Sequence, residues 1–142
     1  MHNEATRAPI VVTHEGALTF AAQIRSHRIL VDQPHRSGGD DSGPSPLELL
    51  GASLGTCVAF YVQQFCHARG LAYEGLRVEV EQHGATNPSR IGRFDVRVVL
   101  PGEVPWPYAE MLERVARSCP AHNTMIHEAE VTVTIESAVS VA

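Results

Sequence analysis

Lysine is absent from these 142 residues, so all 11 positive charges are arginines. They form no basic run, which argues against a nucleic-acid footprint. The 16 acidic residues leave a net charge of −5 and a pI near 5.9. Cysteine is scarce and odd in number, at three, which argues against a fully paired secreted framework. The segment from Met1 to Pro9 is polar and lacks the apolar core of a signal peptide. The longest apolar stretch, Leu49 to Val62, is interrupted by Gly51, Ser53, Gly55 and Thr56. It falls short of the ~20 residues a membrane span needs. The expectation is therefore a cytoplasmic chain with available thiols and no membrane partner. Charged residues, at 19%, do not suit disorder. A hydrophobic content of 44% can supply a core without a structural metal or disulfides. The length fits one domain, residues 1–142, and no repeat is apparent.

Hydropathy patterning predicts an α+β order of elements. Ile10–Thr13, Ala17–Ile24 and His27–Asp32 read as a meander of short strands, with Leu18, Phe20, Ala22 and Ile24 on one face. Gln33 to Ser45 is rich in Gly, Pro and Asp and reads as a loop. Ser45, Pro46 and Glu48 then give a helix start, with Glu48 placed for a capping box. The helix is expected to run to about Arg69 and stop at Gly70. Being apolar almost all round, it belongs inside a fold or a dimer. Alternation over Glu74–Gln82 and Ile91–Leu100 predicts a hairpin. An amphipathic helix follows over Trp106–Ser118, then a break at Cys119–Pro120 and a short helix over Ala121–His127. Val131, Val133 and Ile135 predict a last strand.

Cys57 lies in the apolar helix. It reads either as a small buried hydrophobe or as a reactive thiol. Cys119 sits at a helix end before Pro120, with His122 close by, a setting in which thiol acidity changes. Cys66 is nine residues beyond Cys57, which places it on the opposite helix face and marks it as structural.

Several segments together resemble one family. They are Asp32-Gln33-Pro34, Gly38-Gly39-Asp40, Gly43-Pro44-Ser45-Pro46-Leu47-Glu48-Leu49-Leu50, Leu54-Gly55-Thr56-Cys57 and Cys119-Pro120-Ala121-His122. The chain is similar to the OsmC/Ohr family, in a less characterised branch. The resemblance implies antiparallel sheets wrapped around two long central helices in an intertwined homodimer, with two sites at the subunit interface. It also implies reduction of organic hydroperoxides, with Cys57 as the peroxidatic thiol and Cys119 as the resolving one. A dithiol reductant, a lipoyl group or another thiol donor, would recycle the pair, and no cofactor is implied.

The sequence departs from the family where the peroxidatic thiol is normally activated. Leu47, not a glutamate, follows Pro46, and the carboxylate comes one residue later at Glu48. The usual strand Arg falls near His14 or Glu15, which leaves Arg25, Arg28 and Arg36 as substitutes. Glu48 is thus a support residue at the site or a helix cap. The alternative function is a non-catalytic dimeric stress or ligand-binding protein with an inert Cys57. A metal site from Cys119, His122 and His127, completed by His67 or Cys57, is a further rival.

Overall fold

Residues 7–139 are described by a computed structural model of the chain. The first three strands, β1 (Val11–Gly16), β2 (Thr19–Ile24) and β3 (His27–Val31), form the expected antiparallel meander in the order β1-β2-β3. Phe20 pairs with His14 on one side and with Val31 on the other. The predicted apolar face is not buried as a set. Ala21 and Ala22 are covered, while Leu18 and Phe20 are exposed. Leu18 lies in the β1–β2 turn rather than on a strand, which removes it from the alternation.

Helix α1 (Pro46–Ala68) has both expected ends. The Ser45 N–H donates to Glu48 Oε1 at 3.1 Å, and the Glu48 N–H donates to Ser45 Oγ at 3.4 Å. This is a reciprocal capping box. At the other end Gly70 adopts φ +66°, and the Leu71 N–H donates to the Cys66 carbonyl at 2.9 Å. That left-handed residue is where a side chain would be strained and glycine is not. Leu54, Val58, Val62 and Phe65 are buried along α1, each stabilising by roughly 1.5–3 kcal/mol. Leu47, Leu50 and Phe60 stay exposed. By length and composition α1 could cross a membrane, a test that the core helix of a soluble protein also passes.

The hairpin β4 (Arg77–Ala85) and β5 (Arg90–Val99) forms a second, two-stranded sheet. Helices α2 (Tyr108–Ala116) and α3 (Pro120–Ile126) follow. The expected last strand is not formed among the described residues. Val131, Val133 and Ile135 lie outside any ladder and are 80%, 81% and 94% exposed. Alternation supplies a strand with its two faces, but its backbone N–H and C=O groups need a neighbouring strand.

The chain divides into two compact units. One comprises the described residues up to Gly55 together with Glu79–Arg97, and the other comprises Thr56–Val78 together with the described residues from Val98. In the first, the loop over 33–45 carries its own backbone hydrogen bonds and also gathers on one carboxylate. Asp32 is buried and accepts from Thr19 Oγ1 at 3.1 Å, from Gln33 N–H at 2.7 Å, from Asp40 N–H at 3.3 Å and from Ser42 N–H at 3.1 Å. The Asp32 N–H in turn donates to the Pro44 carbonyl at 3.2 Å. Burial pushes the Asp32 carboxyl up, but these hydrogen bonds outweigh it and hold it below its ordinary value of 3.8. The loop runs so close to β3 that a Cβ on Gly39 would strike the Gln33 carbonyl, and one on Gly43 would strike that of Leu30.

Candidate functional site

The second unit brings Cys57 and Cys119 together. A proline follows Cys119, and a residue before proline is disfavoured in the helical region. Cys119 accordingly takes φ −67° and ψ 145°, which separates α2 from α3. Pro120 then begins α3, where its missing N–H costs no helical hydrogen bond. Cys119 caps α3 through its own sulfur, which accepts the His122 N–H at 3.3 Å. Asn123 fixes the junction, its side-chain amide donating to the Ser118 carbonyl at 3.2 Å.

The Cys119 thiol is fully buried and Cys57 is half-buried; neither is in a disulfide. The two thiols lie near enough to influence each other electrostatically. Burial pushes the Cys119 thiol up, the His122 N–H lowers it, and the neighbouring Cys57 raises it further, for a net upward shift. Cys119 is therefore held as a neutral thiol at neutral pH, beside a more accessible sulfur. Cys66, also fully buried, is pushed up by burial alone. It is an inert core residue, in line with its place on the far face of α1.

A family model described as OsmC-like protein matches residues 39–136. The chain belongs to the OsmC-like protein family. Solved structures agree with this membership in fold. A protein from Psychrobacter arcticus 273-4, provisionally described as an osmotic stress induced and detoxification response protein, superposes with a TM-score of 0.77 at 21% identity. The match covers 87% of this chain and 91% of that one. An OsmC like protein from Mycoplasma pneumoniae gives a TM-score of 0.65 at 22% identity, over 87% and 90% of the two chains. An organic hydroperoxide resistance protein OsmC from Legionella pneumophila gives 0.57 at 16% identity, over 86% and 92%. A search of curated proteins gave no match.

Within this OsmC-like chain, Glu48 does what a cap does. Its carboxyl is held below the ordinary 4.5 by the Ser45 hydroxyl and the Ser45 N–H, with a smaller contribution from Arg36. It lies nine residues before Cys57 on α1, about half a turn away around the helix axis. The positions matching the family's strand Arg are otherwise engaged. His14 Nε2 lies 2.9 Å from the Ala17 carbonyl and its ring packs on Phe20, while Glu15 pairs with Arg28 at 3.1 Å. Arg25 occupies the β2–β3 turn with φ +53°. His122 contributes its backbone N–H to Cys119, while its buried Nδ1 has no hydrogen-bond partner among the described residues.

Cys119, His122 and His127 do not gather as a metal site. Among the described residues the group whose ligand atoms lie within 4.8 Å is Glu81, His83 and Asp95, on the β4–β5 hairpin. That group already holds a cation of its own. Arg93 Nε lies 3.2 Å from Asp95 and its Nη2 lies 3.3 Å from His83.

Sequence reasoning missed Asp32 as an organising residue. Its signal was an aspartate at a strand end, followed within ten residues by a run of Gly, Asp and Ser able to turn N–H groups back on it.

Proposed function

We infer that this protein is a thiol peroxidase that reduces organic hydroperoxides to alcohols. The observation that carries the reading is the pair of neighbouring free thiols, one half-buried and one enclosed, on two different elements. The Cys57 thiolate attacks a peroxide oxygen; the O–O bond breaks, and the alkoxide leaves as an alcohol after protonation. Cys57 is left as a sulfenic acid. The Cys119 thiol condenses with it, water departs, and a Cys57–Cys119 disulfide remains. An external dithiol returns the two electrons. Family membership, and fold neighbours described as organic hydroperoxide resistance proteins, support the reading.

A second copy of the chain is the partner this reading requires. The uncovered Leu47, Leu50 and Phe60 of α1 and the unpaired alternation of Val131, Val133 and Ile135 support a homodimer. The apolar sequence of α1 around Cys57 supports an alkyl substrate over a small polar one. Cumene hydroperoxide should therefore be turned over with a kcat/KM at least roughly tenfold above that for hydrogen peroxide. Equal efficiency, or preference for hydrogen peroxide, would remove the substrate assignment.

A further inference from the structure

The two sulfurs differ in access, and that difference bears on the reductive half of the cycle. Cys119 has no exposed surface, whereas Cys57 is partly open. Cys119 sulfur is also engaged by the backbone, through the His122 N–H at 3.3 Å. A thiolate cleaves a disulfide by attacking one sulfur in line with the bond that breaks, and access decides which sulfur is hit. The thiols are neighbours in the reduced state, as closing a disulfide between them requires.

We propose that the reductant attacks the sulfur of Cys57 and that Cys119 is the leaving thiol. This rests on the Cys57–Cys119 disulfide of the reading above. A reductant thiolate forms a new S–S bond to Cys57 as the Cys57–Cys119 bond breaks. The electron pair goes to Cys119, whose sulfur is received by the His122 N–H and then takes up a proton. The second thiol of the reductant displaces Cys57 from the mixed disulfide, leaving the reductant as a disulfide and Cys57 as a free thiol. Cys57 is thus the sulfur that meets both external molecules, and Cys119 stays inside throughout. Burial makes Cys119 a reluctant leaving thiol, since a less acidic thiol departs more slowly. Enclosure weighs more, because an attacker has no approach to its sulfur at all.

The test uses the full-length protein, oxidised with cumene hydroperoxide and confirmed by peptide mapping to carry the Cys57–Cys119 disulfide. Absence of that disulfide would count against the proposed function and would be seen before the second step. The oxidised protein is then mixed briefly with the monothiol 2-mercaptoethanol, quenched in acid, alkylated and mapped. The expected result is a mercaptoethanol adduct on Cys57 with Cys119 alkylated, in excess over the reverse by roughly tenfold or more. The same protein unfolded in guanidinium should lose that bias, because the fold creates it. An adduct mainly on Cys119, or an even split in the native protein, would overturn the assignment.

Discussion

Replacing Cys57 by serine should abolish hydroperoxide turnover, lowering kcat/KM by roughly a thousandfold or more. The hydroxyl cannot act as the thiolate does, and no other described thiol can replace it. Cys66 is enclosed and pushed toward its neutral form, and Cys119 is enclosed and capping α3. The exchange of sulfur for oxygen at a half-buried position leaves the packing of Leu54 and Val58 in place, so the circular dichroism spectrum should not change. Cys119→Ser should behave differently. It should still consume one equivalent of peroxide but stop as a Cys57 sulfenic acid, detectable by dimedone, because no thiol remains to condense with it. Equal residual activity in Cys57→Ser and the wild type would show that the chemistry lies elsewhere.

The second large effect is expected at Asp32. Asp32→Ala leaves the N–H groups of Gln33, Asp40 and Ser42 and the Thr19 hydroxyl without the acceptor that gathers them. Buried donors stripped of a partner lose more than the hydrogen bond itself. Thermal unfolding at fixed protein concentration should show Tm lower by on the order of 10 °C. Asp32→Asn, which keeps one oxygen acceptor, should lose less. The pH dependence has a definite sign. The folded-state carboxyl is held below its ordinary 3.8, so its contribution is complete above 3.8 and fades as pH falls through the lower folded value. Wild type should therefore lose stability in that acid window, and Asp32→Asn should lose less of it. A Tm change within about 2 °C for Asp32→Ala would show that the loop is held by other means.

These cases also show what could be read in advance. The capping box at Ser45 and Glu48, the glycine stop at Gly70 and the break at Cys119–Pro120 are local, each decided within a few residues. They were legible for that reason. Opposite-face placement of Cys66 followed from helix geometry alone. The expected strand over Val131–Ile135 did not appear, because a ladder depends on a neighbour that periodicity cannot name. The Asp32 network was missed for a related reason. Its donors lie up to 13 positions away, and only the folded loop brings them to one carboxylate. Nor could the proximity of Cys57 and Cys119 be derived from spacing, since 62 positions separate them (119 minus 57). The family resemblance supplied the pair as an expectation, and the second unit holds the two thiols near enough to influence each other.

The central claim is tested most directly by treating the reduced protein with one equivalent of cumene hydroperoxide and mapping its cysteines by mass spectrometry. The account predicts a chain lighter by ~2 Da with Cys57 linked to Cys119 and Cys66 still a free thiol. Unmodified Cys57 after that treatment, or a linkage through Cys66, would contradict it.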